Sequence, residues 1–149
     1  MAGLSVLVLG PVSAWQEGQQ VGSFRTRLAQ ALLIYLACRP ERHRREHIMA
    51  LLWPGLPQAS AQQNLRQNLY FLRQTIPTVA AVDGNGELPL LLATRDTIQL
   101  HPNAAIAVDA TRFAQLIDLL RPSQEQLREA AALYRGDFLA DFYLPDSNP

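Results

Sequence analysis

Apolar positions recur along this chain at two periods, and the switch between them predicts its elements. Residues 4–9 (LSVLVL) are a short apolar run closed by Gly10-Pro11, which reads as a strand. Residues 12–16 and 19–21 read as further short strands around a turn at Gly18. The period then becomes helical. Residues 24–38 carry Leu28, Leu32, Leu33 and Leu36, and Pro40 prevents the helix from continuing. Residues 44–53 form a shorter helix with Ile48, Leu51 and Leu52 inward, ended by Pro54-Gly55-Leu56-Pro57. Residues 59–77 hold Leu65, Leu69, Leu72 and Ile76 in one stripe at i, i+4, i+7 and i+11, with Ser60 and Gln63 at the spacing of a capping box.

The polar side of this third helix is unusual. It consists of Gln62, Gln63, Asn64, Arg66, Gln67, Asn68, Tyr70, Arg73 and Gln74, with no Glu, Asp or Lys. A solvated helix face normally mixes both charge signs and gains from i,i+4 pairs. Amides and guanidiniums are instead the groups that pair bidentately with base edges, Arg with guanine and Asn or Gln with adenine.

Beyond Pro77 come small residues, the loop Asp83-Gly84-Asn85-Gly86, and two strands at residues 90–93 and 97–100 about the turn Thr94-Arg95-Asp96. Short strands, three helices and a hairpin make a winged helix-turn-helix with an N-terminal sheet, whose second helix-turn-helix element enters the major groove. A second unit begins near Val108. Asp109 opens a helix bearing Phe113, Leu116, Ile117 and Leu120, broken at Pro122. Ser123 and Gln126 have capping-box spacing before a helix with Leu127, Ala130, Ala131 and Tyr134 that stops at Gly136. Two such helices resemble one tetratricopeptide-like repeat, and about three are needed for stability. The expectation is therefore the N-terminal piece of a longer protein. The predicted fold class is mainly α with small β-sheets. It comprises a winged helix-turn-helix unit at residues 1–103 and a tetratricopeptide-like helical hairpin at residues 104–149.

Charge sharpens this picture. The 149 residues have zero net charge, yet residues 24–76 hold eight arginines against Glu41 and Glu46, and residues 77–149 hold five arginines against ten acids. A basic block beside an acidic one is the footprint of a polyanion-binding module joined to a part that does not touch the polyanion. All the basic residues are arginine, which GC-rich codon usage would also produce. The single cysteine, Cys38, excludes an intramolecular disulfide, fits a reducing cytoplasmic compartment and reads as a small buried hydrophobe. No run approaches the roughly 18–20 apolar residues of a membrane span.

With the leucine stripe inward, Gln63, Arg66, Gln67 and Tyr70 are the candidate base contacts. Gln63 is compromised if it also closes the capping box. Arg42, Arg44, Arg45, Arg73 and Arg95 are the candidate phosphate contacts, Arg95 from the hairpin tip. Trp15, Trp53, Tyr134 and Phe138 read as packing residues. His43-Arg44-Arg45-Glu46-His47 matches the inverted zinc-peptidase pattern. Two arginines inside the motif oppose a dication, however, and Pro40 puts His43 ahead of the helix. No third ligand presents itself, so neither a metal nor a catalytic role is assigned. Asp83, Asn85 and Glu87 hint at a calcium loop, but the glycine required at the sixth position is missing and Thr94 stands where the bidentate Glu belongs. No cofactor motif is present.

Six strings in order resemble the Streptomyces antibiotic regulatory protein type of bacterial transcriptional activator. They are Val8-Leu9-Gly10-Pro11, LAQALLIYLA at 28–37, Leu51-Leu52-Trp53-Pro54, NLRQNLYFLR at 64–73, VDATRF at 108–113 and LYRGDFL at 133–139. The resemblance implies an OmpR-like winged helix that binds direct-repeat promoter DNA, as a homodimer or in tandem, and recruits RNA polymerase. It also implies a bacterial transcriptional activation domain of tetratricopeptide-like helices behind it. The chain departs from the larger members in carrying one helical pair and no nucleotide-binding domain. The alternative is a winged-helix protein-interaction module without specific DNA binding, marked by a partner that survives high salt.

Overall fold

The computed structural model describes residues 3–22, 24–119 and 121–139. Leu120 of the predicted first helix of the second unit, and residues 140–149 at that unit's end, lie outside them. Among the described residues are five helices and nine short strands in three sheets, a mixed α/β architecture with more sheet than the periodicity predicts.

β1 (Leu4–Leu7), β2 (Ser13–Gln16) and β3 (Gln19–Gln20) form an antiparallel meander, as expected from the turn at Gly18. The strand at its other edge was not legible. β9 (Ile106–Val108) returns to lie parallel to β1, with Val6 opposite Val108, completing the order β3-β2-β1-β9. A parallel pair needs a long crossover. Here the connection runs from Leu7 to Ile106 and contains the rest of the meander and three helices: α1 (Arg27–Cys38), α2 (Arg45–Leu52) and α3 (Gln58–Thr75).

These helices share one core, in which Leu32, Leu33, Leu36, Ile48, Leu65, Leu69 and Leu72 are buried with Leu4 and Val6 of the sheet. The i, i+4, i+7 leucines of α3 therefore face inward as their spacing requires. Pro57 is the N-cap of α3 and no side chain caps it, so the predicted Ser60–Gln63 capping box is absent. Proline at the cap already fixes the backbone for helix entry, and Gln63 is left free. Gly55 supplies the left-handed turn between α2 and α3 at φ 88°.

Asn68 corrects the reading of the α3 polar side. It is only 5% exposed, accepts a hydrogen bond from the Thr26 hydroxyl (2.6 Å) and donates to the Asn64 carbonyl (2.8 Å). The Thr26 oxygen also caps α1 by accepting from the Ala29 N–H at 2.9 Å. One hydroxyl thus caps one helix and ties it to another. Thr26→Val keeps the shape but removes both bonds. It is expected to cost about 1–2 kcal/mol, read as a lower urea midpoint with an unchanged m-value.

β7 (Leu91–Ala93) and β8 (Thr97–Leu100) make the predicted hairpin, with the Thr94 hydroxyl accepting from the Asp96 and Thr97 N–H groups at its turn. A third strand, β4 (His43–Arg44), pairs with β8 directly before α2. A second hairpin, β5 (Thr78–Ala80) with β6 (Glu87–Pro89), occupies the stretch read as loop. Its strands, three residues each, are too short to show a period. The Asp83 carboxylate accepts from the Asn85 N–H, and Glu87 accepts from the Thr78 hydroxyl, so both acids serve the hairpin.

α4 (Asp109–Ile117) and α5 (Gln124–Leu133) pack together after β9. The Ser123–Gln126 capping box is present as predicted. Arg112 on α4 grips the Glu129 carboxylate on α5 with two bonds of 2.8 and 3.1 Å. The aromatic expectations divide. Trp53 is buried, Trp15 is partly exposed with its indole N–H donating to Ser13, and Tyr134 and Phe138 are 49% and 53% exposed. Tyr134 rests beside the Phe113 ring and donates to the Asp137 carboxylate, so it covers the helical pair from outside instead of filling a core.

Asp109 does more than open α4. It is 5% exposed, and its carboxylate accepts from the N–H groups of Val8 (2.8 Å), Leu9 (3.0 Å) and Ala110 (2.8 Å), with Arg135 at 3.7 Å. Residues 136–139 run along the same edge, with Gly10 N–H donating to Asp137 and Leu139 N–H to Val8. Gly10 and Gly136 pass so closely that a Cβ on Gly136 would stand 3.0 Å from the Gly10 Cα. The first and last strings of the resemblance therefore meet in space. Cys38 is half-buried; burial pushes its thiol pKa up, Asp109 adding to the rise against the pull of Arg39. Its alkylation by iodoacetamide at neutral pH is expected to be slow, accelerating sharply in denaturant.

Candidate nucleic-acid interface

At 3.6 residues per turn, the exposed side of α3 is an arc roughly 140° wide. Gln62, Arg73 and Arg66 lie on one flank of it, Tyr70 and Gln63 at the centre, and Gln74 and Gln67 on the other flank, all exposed. No carboxylate interrupts it. Tyr70 is 55% exposed, its ring tilted against Phe71.

The Arg66 flank borders a cleft of 310 Å³ whose other walls are the start of α2 and the β7–β8 turn. Arg44, Arg45, Arg66 and Arg95 line it over a floor that includes Leu65 and Met49, with Glu46 and Asp96 also in its wall. Four of the five predicted phosphate contacts and one predicted base contact thus fall near one another. Arg44, Arg45 and Arg95 share the cleft with Arg66, and Arg73 lies within electrostatic reach of Arg45. Arg42 is exposed but does not line the cleft. Gln63, Gln67 and Tyr70 lie outside it, on the open arc.

Arg45 is the structural centre of this arrangement. Its backbone N–H donates to the Asp96 carbonyl (2.9 Å) and its Nε to the Thr94 carbonyl (3.0 Å), fastening the hairpin turn to the first turn of α2. Partial burial lowers its pKa, and the like charges of Arg73 and Arg66 lower it further, against a smaller pull from Asp96. Sequence reasoning missed this anchoring role because the partners are carbonyls 49 and 51 residues away. Other arginines of the basic block are placed elsewhere; the Arg25 guanidinium lies over the Phe71 ring at 5.2 Å.

The zinc-peptidase pattern is also resolved in space. His43 sits on β4 rather than on the helix, and its Nε2 bonds the Arg39 carbonyl at 2.8 Å. Its ring stacks on His47, and His47 Nε2 lies 3.4 Å from the Tyr35 hydroxyl. Among the described residues no three His, Cys, Asp or Glu side chains gather at a spacing suited to a metal ion. No described helix is long and apolar enough to cross a membrane.

No protein-family profile matches the chain, and neither does any curated protein. Among solved structures, the chain is similar in fold to Mycobacterium tuberculosis EmbR, determined in complex with a low-affinity phosphopeptide. The two are 21% identical with a TM-score of 0.67, and the match covers 95% of this chain. This chain spans 38% of the length of that one.

Proposed function

We propose that this chain is a sequence-specific double-stranded DNA-binding region of a transcriptional regulator. In it, α2, α3 and the β7–β8 hairpin act as an OmpR-like winged helix-turn-helix, and α4–α5 act as a tetratricopeptide-like pair behind it. One observation carries this: an acid-free, amide-rich helix face borders a cleft lined by four arginines, beside a hairpin tip. Such a face reads base edges in the major groove, while the flanking arginines neutralise backbone phosphates. Gln63, Gln67 and Tyr70 are the readers on the open arc. Arg42, Arg44, Arg45, Arg73 and Arg95 are the phosphate contacts. Arg66 belongs to both groups by position. The fold shared with EmbR supports a DNA-binding regulatory assignment; a non-catalytic, cytoplasmic activator is what the resemblance of the six motif strings implies. Recruitment of RNA polymerase and homodimeric or tandem binding to direct repeats follow from the family resemblance.

The deciding experiment is selection from a randomised duplex pool at two salt concentrations, followed by sequencing of the bound fraction. An enriched motif whose affinity falls steeply with salt is expected. Binding lost at moderate salt with no enrichment would leave only a generic basic surface. On the selected site, Gln67→Ala should relax preference at one base pair, at about 1–3 kcal/mol of discrimination. Arg44→Ala should weaken all sequences about equally.

A further inference from the structure

We propose that the cleft between α2, α3 and the β7–β8 turn is a pocket for one phosphate group, and that Arg66 grips this phosphate rather than reading a base. For a phosphate carried by DNA, this rests on the function proposed above. The pocket itself rests on where its charges are placed.

Arg44, Arg45, Arg66 and Arg95 line a cleft of 310 Å³, roughly ten water volumes, enough for a phosphate group with part of its hydration shell. Two carboxylates, Glu46 and Asp96, share the same wall. Even so, none of these arginines has a carboxylate within 4.0 Å among the described residues, where the ion pairs are Arg112–Glu129 and Arg135–Asp109. Four cations against two carboxylates leave an excess of positive charge that repels itself, and an entering dianion relieves that repulsion while accepting several charge-assisted hydrogen bonds.

Arg45 is the fixed member of the pocket. Its Nε and backbone N–H are fixed to the hairpin turn, leaving its four Nη hydrogens for a ligand. Arg44 enters from the strand β4, itself paired to β8 through Arg44 and Thr97. Guanidinium-bearing residues of the β4–α2 junction, α3 and the β7–β8 turn thus line one cleft, and the two at the junction stand on a backbone already paired to the hairpin, which reduces the ordering cost of binding. Arg66 lies on the cleft flank of the α3 arc, about 100° around the helix from Gln67. A side chain drawn into the cleft is not available to a base edge facing Gln67.

The test follows arginine Nε–H resonances of the 149-residue chain titrated with inorganic phosphate against chloride at matched ionic strength. Saturable shifts at Arg44, Arg45, Arg66 and Arg95, with Arg25 and Arg112 unmoved, are expected. Shifts spread evenly over all arginines, or none, overturn the pocket. In duplex binding, Arg66→Ala should reduce the slope of log affinity against log salt by about 1 and leave the selected base preference intact. Arg66→Lys, which keeps the charge, should restore the slope. Loss of preference at one base pair in both variants, with the slope unchanged, would return Arg66 to base reading. Saturable phosphate shifts without duplex binding at any salt would support the pocket, assign its phosphate to a small molecule and overturn the DNA function. Duplex binding without phosphate shifts would overturn the pocket alone.

Discussion

Replacing Asp109 by alanine is expected to destabilise the fold by about 3–5 kcal/mol, a large share of the stability of a domain this size. The carboxylate is almost fully enclosed and accepts from the N–H groups of Val8, Leu9 and Ala110. Its removal strands the two β1-edge donors where water cannot readily replace the acceptor, at about 1–3 kcal/mol each. It also leaves Arg135 without its carboxylate at 3.7 Å. Asp109→Asn discriminates this account from a simple loss of packing. The amide keeps the volume and one acceptor oxygen, but its NH2 would confront the Leu9 N–H, donor against donor. Asparagine should therefore recover only part of the loss, seen as a urea midpoint between those of wild type and Asp109→Ala. Equal stability of Asp109→Asn and wild type would show that volume, not hydrogen bonding, is what the site requires.

The second large effect concerns binding without loss of fold. Arg44→Ala, Arg66→Ala and Arg95→Ala combined should lower the salt slope of duplex binding by about 3 and weaken it on the order of 100-fold at low salt. Stability should stay within about 0.5 kcal/mol of wild type, because none of the three side chains has a hydrogen bond or ion pair to lose among the described residues. Arg45 is left in place for this purpose, since Arg45→Ala would release the hairpin turn from α2 and confound binding with geometry. A triple variant that still binds with the wild-type slope would put the DNA phosphates somewhere other than this cleft.

The long-period features were legible because they depend on neighbours along the chain. Leu65, Leu69, Leu72 and Ile76 fix which side of α3 is buried whatever packs against it, and the acid-free arc opposite follows from the same spacing. Pro40, Pro54 and Pro57 stop or start helices through their own rings. The Ser123–Gln126 capping box closes within four residues and was predicted correctly. The Ser60–Gln63 pair has the same local pattern and forms no box, because the chain enters α3 three residues earlier, with Pro57 at the cap and Gln58 first in the helix.

What the sequence determined by itself is thus the set of helices, their inward faces, the meander, the β7–β8 hairpin and the separation of a basic from an acidic half. Each is encoded in contacts a few residues apart. Only the tertiary structure decided that β9 lies parallel to β1 and that Asp109 ties two ends of the chain across 100 residues. It alone buried Asn68 under the α1 cap and drew Arg66 beside Arg45. Those outcomes depend on which unsatisfied donors and which like charges meet after collapse. No periodicity records that, because the partners are distant in sequence and one polar residue serves as well as another until its neighbour is known.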